Sequence, residues 1–433
     1  MHSHSSPLAS ASYRALLGTQ FLGAYNDNLF KMLVSLMAVD AATGAVGSSG
    51  YLSLTGIVFI VPYLLFSGYA GHVADRFGKR AVLVATKATE VAIMGLALIA
   101  FLAGDMIALL AVLFLMAAQS TFFSPAKFGV LPEMLPSGQL AQANGYLEMA
   151  RYGAVILGSV SAGALLVICG GEPLALGAVL VAIAVFGSVV SLRIKATGAP
   201  RASGRMGANP FASVVQGVRR IAADPALRKA VAGITYFESL AAFVMMNILL
   251  LAKGVMGQDD LGAGLLLAIA GVGIGIGAAL AGRLSIGRIN LGLTLPASAG
   301  VAAALIALSL SAHSFALTAL LIGLVGVFGG LYMVPLNALL QDRAGEGEKG
   351  RTICASNFLN MTGALVACSL LWLVHDGLGV APDTMMLVAG MVATAVALLH
   401  LGGVRPLVRL LAGPMAGRRM PVSVAEPVAE PID

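Results

Sequence analysis

Long apolar stretches dominate the chain, and short polar segments separate them. A transmembrane helix needs about 20 consecutive, mainly apolar residues. Twelve stretches of the 433-residue chain approach that length. The sequence therefore predicts an all-α membrane protein with twelve transmembrane helices. Their predicted bounds are roughly 13–39, 50–71, 81–102, 105–124, 142–169, 174–193, 229–252, 261–282, 291–311, 314–340, 352–375 and 384–404.

One long polar interruption, residues 195–228, divides the twelve stretches into six and six. The halves also resemble each other in sequence. Ser124-Pro125-Ala126-Lys127 corresponds to Val334-Pro335-Leu336-Asn337, and each motif is expected to close its helix. Tyr146-Leu147-Glu148-Met149 similarly corresponds to Phe358-Leu359-Asn360-Met361.

Repeated halves of this kind are typical of transporters in which two bodies move around a central site. We therefore expect two pseudo-symmetric six-helix bundles, residues 1–194 and 229–405. A cytoplasmic loop, residues 195–228, is expected to join them, and residues 406–433 are expected to form a cytoplasmic tail.

Composition and charge agree with a membrane location. Hydrophobic residues make up 58% of the chain and charged residues 11%, whereas soluble domains have about 25% charged residues. With cytoplasmic termini, nearly all lysines and arginines outside the spans fall on the cytoplasmic side, including Lys127 at the predicted inner end of helix 4. The net charge of +6 is thus explained by topology and by anionic lipids of the inner leaflet, and nucleic acid need not be invoked.

The segment 71–80, Gly-His-Val-Ala-Asp-Arg-Phe-Gly-Lys-Arg, places four charges and two glycines between two predicted spans. Glycine at position 71 allows two helices to approach closely, and glycine at 78 is expected to permit a tight turn. Asp75 is expected to bond a neighbouring helix end or an arginine and to hold a closed state. The alternative is an ordinary positively charged cytoplasmic loop. The candidate gating residues are Gly71, Asp75, Arg76, Gly78, Lys79 and Arg80.

Polar side chains inside the predicted spans are the candidate substrate-binding residues. A charge near the bilayer centre costs several kcal/mol unless it is paired or faces a cavity. Asp27 and Lys31 lie four residues apart, a spacing that predicts an ion pair. Lys87 and Glu90 lie three apart, and mutual neutralisation and a functional role both remain open. The candidates are Asp27, Asn28, Lys31, Lys127, Asn144, Glu148, Arg151 and Glu238.

These charges are unevenly distributed between the halves. Nearly all of them belong to the N-terminal half, whereas the C-terminal half offers glycine, methionine and apolar side chains, with Glu238 as the charge most in need of a partner across the cavity. The sequence therefore predicts a cavity with one charged wall and one apolar wall. Such a cavity would bind a zwitterionic or anionic head group on one side and tolerate an acyl chain on the other.

Other functional classes find little support in the sequence. The glycine run 271–277 lacks the preceding strand and the following acid of a nucleotide-binding loop, so it is interpreted as a helix-packing face. The three cysteines have no metal-ligand spacing. No reactive constellation indicates an enzyme, and no cofactor or metal is expected.

The motif Gly-x-x-x-Asp-Arg-x-Gly-Lys-Arg at 71–80 resembles the loop between helices 2 and 3 of the major facilitator superfamily. Segments 20–28, 123–129, 143–148 and 334–341 are similar to the bacterial lysophospholipid transporters. They also resemble the transporter domain of fused acyltransferase and acyl-carrier-protein synthetase proteins. This resemblance implies that lysophosphatidylethanolamine and related lipids are flipped from the outer to the inner leaflet of the bacterial cytoplasmic membrane. A cytoplasmic acyltransferase would then restore the second chain.

By the matching motifs, the resemblance assigns substrate handling to Asp27, Asn28, Lys127 and Glu148. It also implies a multi-pass inner-membrane protein that contacts membrane lipids, and we expect a monomer. The chain departs from the family pattern because helix 7 lacks a basic residue to face Asp27. The alternative function is proton-coupled export of drugs or small metabolites. Helix 4 without a buried arginine, and helix 5 without a Gly-Pro break, count against this alternative.

Overall fold

The structure is a computed structural model that describes residues 10–40, 48–197, 210–311, 314–345 and 347–412. Within these ranges the chain is helical, and the α-helices are numbered here in chain order. They are α1 (Ala11–Asp40), α2 (Ser48–Arg76), α3 (Lys79–Ala103), α4 (Met106–Met134), α5 (Ser137–Ile168), α6 (Pro173–Ser191), α7 (Pro210–Ala223), α8 (Pro225–Leu250), α9 (Asp260–Leu284), α10 (Thr294–Leu310), α11 (Phe315–Arg343), α12 (Lys349–Trp372) and α13 (Pro382–Ala412).

Eleven of these helices, or parts of them, are long and apolar enough to cross a membrane. The helices that do not meet this criterion are the short α7 and the long α1. Helix α1 coincides with the first predicted span, but it carries Asn26, Asp27, Asn28 and Lys31 within two turns. These polar residues lower its hydropathy. The exact number of spans therefore stays a prediction.

The predicted inner end of helix 4 is wrong, and the motif at 334–337 does not close helix 10, although the predicted end at residue 340 lies near the observed one. Helix α4 continues past Pro125 to Met134, and α11 continues past Pro335 to Arg343. Proline inside a membrane helix is tolerated because neighbouring helices and local adjustments satisfy the carbonyl that it leaves free. Lys127 consequently lies inside α4, where it is 6% exposed, and not in a cytoplasmic loop.

Helix α7 lies in the segment that the sequence pattern predicts as a loop. At 14 residues it is too short to appear in a search for membrane-length apolar stretches. It packs against α2, α8 and α12. Val214 and Ile221 face the protein, whereas Phe211, Val215 and Arg219 are exposed. Residues 198–209 of the predicted loop lie outside the described residues. The same holds for residues 413–433 of the predicted tail, because α13 extends to Ala412.

Buried apolar side chains form clusters that follow the two halves of the sequence. One cluster draws its buried members from residues 29–184, and a second draws them from residues 221–393. A third cluster joins residues from both halves. The halves also meet through α5 with α9 and through α2 with α12.

The glycine run in α9 is a packing face, as the sequence predicted. A methyl group added at Gly273 would overlap the Gly323 carbonyl, and one added at Gly277 would overlap the Val327 carbonyl. On the facing helix, a methyl group at Gly330 would overlap the backbone of α9. These glycines therefore allow α9 and α11 to pack backbone against backbone.

Gly277→Ala is expected to destabilise the protein by about 1–3 kcal/mol, because the two backbones must separate to admit the methyl group. Gly275→Ala is the matched control, since its added carbon would lie 3.9 Å from the nearest atoms of Met149. Thermal unfolding in detergent should show a lower midpoint for Gly277→Ala and an almost unchanged midpoint for Gly275→Ala. Equal midpoints for the two variants would contradict this account of the packing.

Candidate functional site

A cavity of about 290 Å³ lies between helices of the two sequence halves. Helices α1 to α5 line one side of it, and α8, α11 and α12 line the other. Six predicted substrate-binding residues line this cavity: Asp27, Asn28, Lys127, Glu148, Arg151 and Glu238. The other two, Lys31 and Asn144, are not part of its lining. The structure therefore brings most of the candidates together, and their role in binding stays a prediction.

Asp27 bonds to a residue of α4, and not to Lys31 on its own helix as the four-residue spacing predicted. Its Oδ2 atom accepts a hydrogen bond of 2.7 Å from the Ser120 hydroxyl of α4. Its Oδ1 atom is buried and has no hydrogen-bond partner among the described residues. The predicted pair with Lys31 is wrong, because the Lys31 ammonium lies 4.9 Å from the centre of the Phe59 ring on α2. Asp27 and Lys31 thus each contact a residue of a neighbouring helix.

Lys87 and Glu90 form a buried ion pair in the wall of the cavity. Lys87 Nζ lies 2.5 Å from Glu90 Oε2, and each side chain is 2% exposed. Asn26 Nδ2 donates to the second carboxylate oxygen of Glu90 at 3.4 Å. A methyl group at Gly23 would overlap the Lys87 ammonium, so this glycine makes room for the pair. The geometry supports mutual neutralisation of the two charges.

A second ion pair, on α5, faces an unpaired carboxylate on α8. Arg151 Nε lies 2.8 Å from Glu148 Oε2, and the Arg151 guanidinium lies 4.4 Å from the centre of the Tyr152 ring. Among the described residues, Glu238 has neither a hydrogen bond nor an ion pair. Glu238 is thus available to a cation or a hydrogen-bond donor that enters the cavity.

Lys127 is a buried cation whose ammonium group lines the cavity. Its Nζ atom lies 4.2 Å from the centre of the Phe128 ring, and no described residue forms a hydrogen bond or an ion pair with it. A buried cation of this kind is costly unless an anion or water compensates it. The arrangement suits a negatively charged ligand such as a phosphate group.

Asn144 connects the two halves and does not reach the cavity. Its Nδ2 atom donates to Gln341 Oε1 at 2.8 Å, and Gln341 Nε2 donates to Asn144 Oδ1 at 2.8 Å. Both residues are almost fully buried, at 0% and 1% exposure. The prediction that Asn144 lines the cavity is therefore wrong, because its side chain forms a reciprocal amide pair with Gln341 that joins α5 to α11.

The C-terminal wall of the cavity is more polar than the sequence suggested. Besides Ile234, Met333 and Met361, it contains the amide side chains of Asn337, Asn357 and Asn360. The expectation of a purely apolar wall is therefore wrong. The internal repeat could have indicated these polar residues, because Asn337 and Asn360 occupy the positions that Lys127 and Glu148 occupy in the first half.

Asp75 binds the beginning of α12. Its Oδ1 atom accepts from the Gly350 amide at 2.6 Å, and its Oδ2 atom accepts from the Arg351 amide at 2.9 Å. The Arg351 side chain adds a contact of 3.4 Å from Nε to Oδ2. A carbon added at Gly71 would lie 3.0 Å from the Arg351 Cα, so this glycine allows the approach of α2 to α12. We call Asp75, Gly350 and Arg351 the Asp75 latch.

The other candidate gating residues lie beside the latch. Lys79 lies 3.5 Å from Asp75 Oδ1, Arg80 Nε donates to the Ile194 carbonyl at 2.6 Å, and Arg76 lies over the Phe77 ring. Gly78 has φ −56° and ψ 132°, a conformation open to any residue, and no atom lies within 4 Å of an added carbon. The predicted requirement for glycine at this position is therefore wrong.

Helix α7 contacts the Asp75 latch directly. Arg351 Nη1 donates to Gln216 Oε1 at 3.1 Å, and Arg220 Nε lies 3.9 Å from Glu348 Oε2. A carbon added at Gly217 would lie 2.8 Å from the Arg351 carbonyl oxygen. The segment between the halves thus supports the same arginine that Asp75 holds.

Comparisons with known proteins agree with this architecture. The chain is 29% identical over 372 residues to the lysophospholipid transporter LplT of Yersinia enterocolitica, covering 84% of this chain and 87% of that protein. It is 29% identical over 375 residues to LplT of Yersinia pestis, covering 85% and 88%.

Among solved structures, the Escherichia coli fucose:proton symporter FucP (N162A) superposes with a TM-score of 0.71 at 15% identity. That match covers 89% of this chain and 97% of the symporter. A bacterial homologue of the iron transporter ferroportin gives a TM-score of 0.65 at 16% identity, covering 89% and 97%. At these identities the likeness concerns the fold.

The family model of the major facilitator superfamily matches residues 16–368. This match covers most of the chain, including every helix that contributes to the cavity. Together with the apolar helices, it indicates a multi-pass membrane transporter rather than an enzyme. The chain belongs to the major facilitator superfamily.

Proposed function

We propose that this protein transports lysophospholipids of the lysophosphatidylethanolamine type from the outer to the inner leaflet of the bacterial inner membrane. A cytoplasmic acyltransferase would then restore the second chain. The observation that carries the proposal is a cavity with two unlike walls, one with several charges and one with amides, apolar side chains and a single charge, Glu238. The similarity to transporters named for lysophospholipids supports the same substrate class.

The charges of the cavity suit a zwitterionic head group. Lys127 forms no ion pair with a described residue and would bind the phosphate. Glu238 and the unpartnered oxygen of Asp27 would accept hydrogen bonds from the ethanolamine ammonium. Asn28, Glu148 and Arg151 complete the proposed head-group wall. Among the described residues, Lys127, Glu238 and the Oδ1 atom of Asp27 have no hydrogen-bond or ion-pair partner, so a polar ligand that supplies partners is favoured over an apolar one.

The acyl chain would lie along the opposite wall. Ile234, Met333 and Met361 supply apolar surface there, and methionine side chains adapt to a flexible chain. We propose that the lipid enters sideways from the outer leaflet, so that its tail stays in an apolar environment while the head group crosses. A second acyl chain would have to lie against the charged wall and would leave ions without partners, so diacyl lipids should be rejected.

For transport, we propose twelve spans arranged as two six-helix bundles, residues 1–194 and 229–405, with both termini cytoplasmic. Residues 195–228, including α7, would form the cytoplasmic connection, and residues 406–433 would form the tail. The separate apolar clusters of the two halves support bundles that move as bodies around the cavity. The Asp75 latch would hold the state that is closed at its end of the molecule. We propose that the protein acts as a monomer.

The topology predicts which surface positions are accessible from outside the cell. In a background with Cys169, Cys354 and Cys368 replaced by alanine, Asp105→Cys at the exposed start of α4 should react with a membrane-impermeant maleimide in intact spheroplasts. Arg219→Cys on the exposed face of α7 is the control and should react only after permeabilisation. The reverse pattern would invert the proposed orientation.

The function is tested by re-acylation in spheroplasts that lack their own lysolipid transporter and contain the acyltransferase. Externally added radiolabelled lysophosphatidylethanolamine should be converted to the diacyl form much faster when this protein is expressed. An Asp27→Ala variant expressed at the same level is the matched control and should show only the background rate. Equal conversion with and without the protein, together with proton-dependent extrusion of a small dye, would instead support the exporter alternative.

A further inference from the structure

Two asparagine side chains on the C-terminal wall of the cavity have hydrogen-bonding capacity that the protein leaves unused. Asn337 on α11 lines the cavity and forms no hydrogen bond with any described residue. Asn360 on α12 is 8% exposed. Its Oδ1 atom accepts from the Thr235 hydroxyl at 2.7 Å, and its Nδ2 atom has no acceptor among the described residues.

The local structure holds Asn360 in place. A methyl group at Gly363 would overlap the Ser239 hydroxyl, so this glycine allows α12 to approach α8 closely enough for Thr235 to reach Asn360. Asn357 differs from the other two, because its Nδ2 atom donates to the Ser124 hydroxyl of the N-terminal half at 3.1 Å. Asn337 and Asn360 are therefore the amides of this wall that remain free for a ligand.

Amides that line a cavity without a protein partner are available to a ligand of matching hydrogen-bonding chemistry. They carry no charge, and the charged side chains that line the cavity stand on the opposite wall, except Glu238 of α8. A neutral amide combines donors and acceptors, and a hydroxyl group is the small neutral partner that donates and accepts as well. The chemistry of this wall thus selects a neutral hydroxyl group on the ligand.

The internal repeat places these amides opposite the charged residues in a regular way. Asn337 lies two residues after Pro335, just as Lys127 lies two residues after Pro125. Asn360 occupies the position that Glu148 has in the first half. All four side chains line the same cavity. The two halves therefore present polar groups at equivalent positions, charged in one half and neutral in the other.

We propose that Asn337 and Asn360 bind the free glycerol hydroxyl of the single-chain lipid. This inference rests on the proposed function, which it extends to the group that separates a lysophospholipid from its diacyl product. Acylation removes that hydroxyl and leaves both amides without a partner. A site built to bond a hydroxyl strongly disfavours an analogue that lacks it. The two amides thereby determine specificity for the lysolipid.

The test compares two fluorescent single-chain lipids in proteoliposomes of the purified full chain. One is lysophosphatidylethanolamine with a labelled acyl chain, and the other is its 2-deoxy analogue, which lacks only the hydroxyl. Dithionite, which destroys label in the outer leaflet, measures the initial rate at which each lipid becomes protected. The wild-type rate for the hydroxyl lipid should exceed that for the deoxy lipid about tenfold, as expected for roughly one buried hydrogen bond.

Asn337→Leu and Asn360→Leu should each reduce this ratio, and the double variant should bring it near one. A folding defect would instead lower the rates with both lipids together and leave their ratio unchanged. Thr362→Val is the matched control on α12, because Thr362 is exposed, lies outside the cavity and bonds only the Phe358 carbonyl. It should retain the wild-type ratio.

Each contrary outcome has a distinct meaning. A wild-type ratio near one, or an unchanged ratio in both leucine variants, overturns the assignment of the hydroxyl to these amides and leaves lysolipid transport standing. If Asn360→Leu fails to fold, Asn337→Leu decides the matter, since it removes no internal hydrogen bond. If the wild-type protein protects neither lipid, the proposed function fails, and this inference fails with it.

Discussion

Asp27→Ala is expected to reduce lysolipid transport about 100-fold, to background, while the protein remains folded. Asp27 lines the cavity, with one carboxylate oxygen bonded to Ser120 and the other without a partner in the described part of the chain. Its removal breaks no ion pair, so the helices lose little stabilisation. The substrate, in contrast, loses a charge-assisted hydrogen bond at the head-group site. The re-acylation rate in spheroplasts measures the effect.

Ser120→Ala is the control for Asp27→Ala. It removes the hydroxyl that donates to Asp27 but leaves the carboxylate in the cavity, so only a few-fold loss of the transport rate is expected. Thermal unfolding in detergent should give similar midpoints for both variants and the wild type. Full transport by Asp27→Ala, or an unfolded Asp27→Ala protein, would refute the role of this carboxylate in the site.

Asp75→Asn is expected to slow turnover about 10- to 100-fold while the affinity for lysolipid changes little. The aspartate accepts bonds from two backbone amides at the start of α12 and from the Arg351 side chain, and it is not part of the cavity lining. Without the negative charge, the state that is closed at the latch loses stability. The protein then spends more time open at that end, and the return step becomes rare.

Equilibrium binding of a fluorescent lysolipid and the initial transport rate separate these two effects. Arg351→Gln is the matched variant, because it removes the side-chain contact and keeps both backbone bonds to Asp75. Its turnover should fall less than that of Asp75→Asn. A loss of affinity with unchanged turnover in Asp75→Asn would exclude a latch.

Much of the fold follows from the apolar pattern of the chain. Lipid offers no partners to backbone amides and carbonyls, so apolar stretches of this length must form helices. The same reasoning located polar residues that need an explanation, and the cavity contains Asp27, Lys127, Glu148, Arg151 and Glu238. Asp75 was expected to bond a neighbouring helix end or an arginine. It accepts hydrogen bonds from two amides at the start of α12.

The local sequence does not show which side chains of distant helices contact each other. Spacing along one helix left pairing of Lys87 with Glu90 as one of two alternatives, and the structure shows the pair on one face of α3. The spacing failed for Asp27 and Lys31, since Ser120 and Phe59 arrive from other helices and compete for the same side chains. A short amphipathic helix such as α7 also escapes a search for long apolar stretches.

By itself, the sequence determined the helical class, the position of most membrane-length helices and the polar residues whose burial requires a partner. The tertiary structure decided which partners they have: Asp27 with Ser120, Asn144 with Gln341 and Asp75 with the start of α12. It also turned Asn337 and Asn360 toward the cavity. The reason is physical. Backbone hydrogen bonding and lipid exposure act within one segment, whereas the choice of a side-chain partner depends on how separate helices pack.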